Sequence, residues 1–333
     1  MRGIELTPEH PVERVADLAG RAEAAGFDTL FASSHYNNRD PMIALARIAG
    51  RTETARLGPG VANPYGVHPV RLASAVATLD ELSGGRAVFG IGPGDPSTLR
   101  NLGIDRERGL SATLATVETA RALWRGERVT REEGPVEAVD AGLNYEPPSG
   151  DAIPAYVGGE GPHMCRMAAK HADGLLFNGS HPEDLAWARE QVERGREARP
   201  DDRGPFDLAA YASVSVAEDA DAAREAARPP VAFIAAGTAP PVLDRHGIDR
   251  DRAASIGDAI SGGEFSAAFE GVTPAMIDAF CAAGTVETVA DRLAGLLEHA
   301  DGVVVGSPLG PDPERSIDLA ARALDAAEGT ESA

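Results

Sequence analysis

Short apolar runs alternate with helical patterns along the whole chain, and this alternation restricts the fold more than any other feature. Gly3-Ile4-Glu5-Leu6 reads as a strand, after which Val12, Val15, Leu18, Ala19 and Ala22 recur at helical spacing up to Gly26. Thr29 to Ala32 is a second strand, and a helix carrying Met42, Leu45, Ile48 and Ala49 follows. Arg56-Leu57-Gly58, a helix from Val70 to Leu82 and the strand Ala87 to Ile91 continue the pattern. Strands separated by helices pair in parallel, because a crossover helix is what returns the chain to start the next strand in the same direction.

The second half keeps the alternation less regularly. Arg128 to Glu146 is a Gly- and Pro-bearing insertion with room for a hairpin. Strands are predicted at Ala155 to Val157, Leu175 to Phe177, Leu208 to Val216 and Gly302 to Gly306. Helices are predicted at His163 to His171, Pro182 to Arg196, Val286 to His299 and Glu314 to Ala327. From about 218 to 281 the pattern is largely helical, interrupted at Arg228-Pro229-Pro230 and Ala239-Pro240-Pro241. Eight β/α units with one long insertion fit an α/β TIM (β/α)8 barrel better than a doubly wound open sheet. The expected organisation is one barrel domain over residues 1–327, a helical insertion at about 218–281 and a disordered tail at 328–333.

Charge narrows the partners. The chain carries 31 Lys+Arg against 52 Asp+Glu, a net charge of −21, and Lys170 is its one lysine. Nucleic acid is excluded, since a phosphate backbone is held by clustered cations. Acidic residues spread along the whole chain suit a halophilic protein in a salt-rich cytosol, where screening removes self-repulsion. Two cysteines, Cys165 and Cys281, make no disulfide framework or zinc-type spacing. The N-terminus turns polar at once and no run of about 18 apolar residues occurs, so a cytoplasmic protein with no membrane partner is expected.

In a barrel the working groups lie at the C-terminal ends of the strands. Glu5, between Ile4 and Leu6, points to the opposite face from both; buried, it is expected to have a raised pKa and to serve as a general acid. A salt-bridged structural glutamate is the other reading. The loop Gly158-Gly159-Glu160-Gly161-Pro162-His163 reads as an anion cradle of backbone amides at a helix start, aided by nearby arginines, or as a tight β-to-α turn. Gly90-Ile91-Gly92-Pro93-Gly94 fails the dinucleotide spacing. The eight histidines form no metal-binding pair, so no metal is expected. His35, in the loop after the second strand, is either a site residue or structural, and there is no G-x-S-x-G elbow.

Four runs carry a resemblance. Gly58-Pro59-Gly60-Val61-Ala62-Asn63-Pro64-Tyr65, Ala77 to Ala87 with its Leu82-Ser83-Gly84-Gly85-Arg86 core, Val231 to Gly237 around Phe233, and Gly306-Ser307-Pro308-Leu309-Gly310-Pro311-Asp312 resemble the methylenetetrahydromethanopterin reductases. These are TIM barrels of the bacterial luciferase-like superfamily. The resemblance implies hydride transfer from reduced coenzyme F420, a 5-deazaflavin, to a methylene-tetrahydropterin, giving the 5-methyl form. It implies a non-proline cis peptide at Gly60-Val61 behind the deazaflavin ring. It places Ser34, His35, Gly60, Val61, Asn63, Pro93, Gly94, Thr98, Gly158, Gly159, Gly161 and Pro162 against the cofactor, and Asn178 and Phe233 against the pterin. Glu5 matches the family's first-strand glutamate, the expected acid for the departing arylamine nitrogen. The sequence departs from the family at Ser34, where an aspartate is usual, and at Pro96, where a lysine is usual. Tetrahydrofolate is an alternative carrier; an FMN-dependent monooxygenase and a non-catalytic deazaflavin-binding relative are alternative functions. A homodimer or homotetramer is expected from the superfamily.

Overall fold

Parallel strands alternate with helices in a computed structural model that describes residues 1–331, with side chains to Gly329. The chain forms two compact units, residues 1–178 with 188–209, and residues 179–187 with 210 onward. The first unit opens with β1 (Arg2–Leu6), α1 (Val12–Ala24), β2 (Thr29–Ala32), α2 (Pro41–Ala49), β3 (Arg56–Pro59) and α3 (Pro69–Ser83). It continues with β4 (Phe89–Ile91), α4 (Pro96–Asn101) and α5 (Gly109–Trp124). The expected hairpin forms from β5 (Val129–Arg131) and β6 (Ala138–Ala141), which pair antiparallel. Next come β7 (Ala155–Gly158), α6 (Pro162–His171) and β8 (Gly174–Asn178), while α7 (Pro182–Arg196) and β9 (Asp207–Val216) contribute residues to both units.

Local chemistry explains these elements. Helix α1 buries Val15, Leu18, Ala19 and Ala22, the positions its spacing marks. Asp40 caps α2 by accepting from the Met42 and Ile43 amides at 2.9 and 3.1 Å, with Pro41 in the first turn. Arg86, from the Gly84-Gly85-Arg86 turn, donates to the Ala55, Ala49 and Thr52 carbonyls at 2.7, 3.0 and 3.0 Å and so locks the turn before β3.

The second unit holds α8 (Ala220–Gly237), α9 (Pro240–Arg245), α10 (Arg250–Ser261), α11 (Phe265–Glu270) and α12 (Pro274–Phe280). These helices bury Val231, Ala232, Ala235, Leu243, Ile256 and Met276 in a core of their own. Then come β10 (Ala282–Gly284), α13 (Val286–Leu297), β11 (Gly302–Leu309) and α14 (Pro313–Glu331).

Three expectations are corrected. Helix α8 runs through Pro229 and Pro230 instead of breaking there, because Val231, Ala232 and Ala235 are buried beyond them and tertiary packing outweighs the two missing N–H donors. Strand β10, an Ala-Ala-Gly run without β-branched residues, carries no strand signal; it forms because Ala282, Ala283 and Gly284 align with Val214, Ser215 and Val216 of β9. Helix α14 continues to Glu331, past the expected start of the tail at 328, with Leu324 and Ala327 buried along it. The rest of that predicted tail, 332–333, lies outside the described residues. No helix among the described residues is long and apolar enough to cross a membrane.

Candidate active site

Strand register decides which way Glu5 points. Glu5 pairs with Phe31, Phe31 with Gly58, and the bridge between Leu57 and Ala87 sets Gly58 beside Val88. Side chains aligned in parallel strands share a face, and the next residue along points to the other. Phe89 stacks edge-on against Trp124 of α5 at 5.6 Å, so its face is the one helices cover. Glu5 therefore projects to the opposite, strand-enclosed face. It is 7% exposed, and the Thr7 hydroxyl donates to its Oε1 at 2.8 Å. Thr7 is not singled out by the sequence reading, although the two-residue period of a strand is the signal that marks it.

The Gly60-Val61 peptide is cis, at the position the resemblance indicates. The Val61 side chain lies among three glycines. A Cβ on Gly92 would meet Val61 Cγ2 at 2.9 Å, one on Gly158 would meet it at 3.0 Å, and one on Gly90 would meet Cγ1 at 3.2 Å and the Pro59 carbonyl oxygen at 2.0 Å. These glycines make room for Val61 and the β3 backbone. The ladder continues across this point through Gly60 N–H to Ala32 O at 2.8 Å and Ala62 N–H to Gly90 O at 3.0 Å.

The loops around it are tied to one another. Ser34 is half-buried and His35 exposed; their loop is held by Asn101 of α4, which donates to the Tyr36 hydroxyl at 3.2 Å. The Asn63 Oδ1 accepts from the Tyr65 and Gly66 amides at 3.1 and 2.8 Å, so this side chain shapes its own turn. Arg106 donates to Gly94 O at 3.0 Å, and the Tyr65 hydroxyl donates to Glu107 O, which brings the Pro93-Gly94 turn and the Asn63 turn under one strap. Thr98 N–H donates to Asp95 Oδ1 at 2.7 Å. Burial raises the Asp95 pKa, but hydrogen bonds from Ser97 and Thr98 outweigh it and hold the carboxyl below its ordinary value. Ser33, next to Ser34, is 4% exposed and its Oγ has no hydrogen-bond partner.

Gly158 closes β7 and Gly159 follows it, and Gly161 with Pro162 starts α6 without a side-chain cap or an acidic residue in its first turn. The amides of that turn are thus left to a ligand or solvent, and the helix dipole favours an anion. Asn178 Nδ2 donates to Glu160 Oε1 at 2.9 Å, which joins the end of β8 to this loop. Arg166, the arginine closest to the loop in sequence, donates instead to Gln191 Oε1 at 3.1 and 2.6 Å, so help from an arginine on α6 is not what the structure shows. Phe233 alone among the expected site residues belongs to the second unit, half-exposed on α8 with its ring 6.4 Å from those of Phe265 and Phe269.

A second polar cluster lies in the second unit, and nothing in the sequence pattern joins its members. Asp184 is 4% exposed, accepts from Arg245, and faces His246 Nε2 at 2.9 Å. The His181 ring stacks edge-on to that of His246 at 4.7 Å, while His181 Nδ1 accepts from the Glu183 amide at 3.3 Å as a cap of α7. Burial raises the Asp184 pKa, but His246 and then Arg245 outweigh it and hold it low. His181, Glu183 and His246 could gather ligand atoms within 4.8 Å, yet one nitrogen of each ring is already engaged in these bonds. Burial pushes both cysteine thiols up to about 12, so neither presents a thiolate.

The comparisons place this architecture. The family described as luciferase-like monooxygenase matches residues 2–302. The chain belongs to that family, whose fold is the α/β TIM barrel. It is 41% identical over 322 residues to the 5,10-methylenetetrahydromethanopterin reductase of Archaeoglobus fulgidus, covering 95% of this chain and 96% of the relative. It is 40% identical over 319 residues to that of Methanolobus tindarius, covering 95% and 97%. The solved structure of the coenzyme F420 dependent tetrahydromethanopterin reductase from Methanopyrus kandleri superposes with a TM-score of 0.89 at 39% identity, covering 96% of both chains. Within the luciferase-like class, the chain is a member of the 5,10-methylenetetrahydromethanopterin reductase family.

Proposed function

We propose that this protein reduces 5,10-methylenetetrahydromethanopterin to the 5-methyl form with reduced coenzyme F420. The observation that carries the reading is Glu5, buried on the strand-enclosed face and held by Thr7, in a chain about 40% identical to reductases of this name over 95% of its length. The residues fit the coenzyme. The uncapped amides of α6 and the Gly158-Gly159 turn offer an anion site that needs no lysine, and the Gly60-Val61 backbone offers a surface for a flat ring. When bound, the deazaflavin supplies a hydride.

Everything else is work for the protein. Opening the methylene bridge requires a proton on the departing arylamine nitrogen, and Glu5 donates it. The Thr7 hydroxyl donates to Oε1 and so helps to fix the carboxyl that carries and delivers the proton. Solvent reprotonates Glu5 between turnovers. The strap of Tyr65 and Arg106 fixes the Asn63 and Pro93-Gly94 turns that would hold the coenzyme, so much of the acceleration would come from positioning.

The test is to mix purified protein in high salt with reduced coenzyme F420 and methylene-tetrahydromethanopterin and follow the absorbance of the oxidised coenzyme. Oxidation that depends on the pterin is expected. No oxidation with this pterin, or oxidation with methylene-tetrahydrofolate alone, overturns the reading as stated.

A further inference from the structure

Ser33, one residue past the end of β2, lies on a face that register determines. It lies two residues beyond Phe31, and the ladder is still hydrogen-bonded there through Gly60 N–H to Ala32 O at 2.8 Å. A strand's two-residue period therefore sets Ser33 on the face of Phe31 and Glu5, one layer further toward the C-terminal ends of the strands, beside Thr7 on one neighbour and the Gly60-Val61 bond on the other. Its hydroxyl is 96% buried by residue, being 4% exposed, and has no partner.

A buried hydroxyl without a hydrogen bond is costly and rare, so its presence needs a cause. Thr113 and Thr116 on α5 show the ordinary solution, bonding back to the Gly109 and Ala112 carbonyls at 2.8 and 2.7 Å, whereas Thr119 on the same helix shares the unpartnered state of Ser33 but not its place at the strand ends. At Ser33 the Ala32 carbonyl accepts from Gly60 and the Thr7 hydroxyl donates to Glu5, and Ser33 Oγ bonds to neither. A group brought by a ligand would supply the missing bond.

We infer that Ser33 is a cofactor-contacting residue whose hydroxyl hydrogen-bonds a polar ring edge of the deazaflavin. The inference rests on the proposed function, in which the ring lies against Gly60-Val61. Its chemistry suits that edge, where carbonyl and N–H groups alternate, because a hydroxyl can donate or accept. The same reasoning predicts opposite effects on stability and binding. An alanine here removes an unpaired polar group from the ligand-free protein but removes a hydrogen bond from the complex.

The test compares Ser33→Ala with the wild type by thermal unfolding without ligand and by titration of oxidised coenzyme F420, read by its fluorescence. The variant is expected to melt at the same temperature or higher, and to bind the coenzyme roughly fivefold to tenfold more weakly. In steady state the KM for the tetrahydropterin is expected to stay unchanged. Unaltered coenzyme affinity overturns the inference, as does a fall in ligand-free melting temperature, which would show that the hydroxyl already has a structural partner. A shift in the pterin KM with unaltered coenzyme affinity assigns Ser33 to the other ligand and overturns it too. A wild-type protein that binds no deazaflavin overturns the proposed function as well, whereas wild-type binding that Ser33→Ala leaves intact overturns this inference alone.

Discussion

Ser33 in the first unit and Asp184 in the second are equally buried, each 4% exposed, yet the fold treats them in opposite ways. Asp184 accepts from Arg245, meets His246 at 2.9 Å, and has its own amide bonded to the His181 carbonyl at 3.0 Å. Ser33 Oγ has nothing. The cluster around Asp184, with two stacked histidines and a carboxylate held low, looks the more like an active site. Its hydrogen bonds point the other way, because a fully partnered group is spoken for by the fold itself. A polar group left without partners where several strands end is the stronger mark of a ligand.

Two substitutions should separate these regions. Glu5→Gln keeps an Oε1 that accepts from Thr7, so the variant should fold as the wild type and bind both ligands. Its turnover should fall by roughly 10²–10⁴-fold, the range for loss of a general acid. Wild-type turnover would remove Glu5 from that role. Asp184→Asn should do the reverse. It places an NH₂ group against either Arg245 or His246, both donors to the carboxylate, and leaves the Arg245 charge uncompensated with its side chain 22% exposed. We expect a loss of about 3 kcal/mol in denaturant unfolding, with the turnover of the folded fraction retained. Lost turnover in a folded Asp184→Asn protein would erase the contrast between the two regions.

The sequence showed the parts of this site that local pattern encodes. Eight strands, the outward-inward alternation at Glu5 and a helix start after the glycines of the Gly158 loop are all readable from residues near one another. The resemblance added the Gly60-Val61 bond. What was illegible depends on residues distant in the chain. Gly90-Ile91-Gly92 reads as a failed dinucleotide fingerprint because the side chain it accommodates, Val61, is distant in the chain, in the segment that follows β3. Asp184 and His246 lie 62 positions apart with no periodicity to join them. Phe233 was assigned by resemblance to the pterin, and its two ring neighbours, Phe265 and Phe269, sit on a different helix. Gly90→Ala tests the steric half of this account. Its Cβ would fall 2.0 Å from the Pro59 carbonyl oxygen, a backbone atom that cannot swing aside, so a loss of about 1–3 kcal/mol is expected in the same unfolding assay. A variant as stable as the wild type would mean that β3 and β4 can part without penalty.

The smallest effect concerns His181 and refines the structural reading of the second unit. Burial lowers its pKa first, and the nearby charges of Arg292 and His246 lower it further, against the opposing pull of Asp184 and Glu183. A histidine whose folded pKa lies below its unfolded value of about 6.5 binds its proton more readily in the unfolded chain. Its contribution to stability is therefore fully present above that pH and is lost as pH falls toward the folded value. Protonation would also put an N–H on the ring nitrogen that accepts from the Glu183 amide, removing the cap of α7. His181→Asn keeps a side-chain oxygen able to cap the helix but cannot take up the proton. Unfolding free energy measured from pH 7 down to 5 should fall less steeply in the variant than in the wild type. The remaining slope has an identified source in His171, whose pKa burial and Lys170 also lower. Identical slopes in the two proteins would show that His181 titrates alike in the folded and unfolded chain, and that its contact with His246 is packing alone.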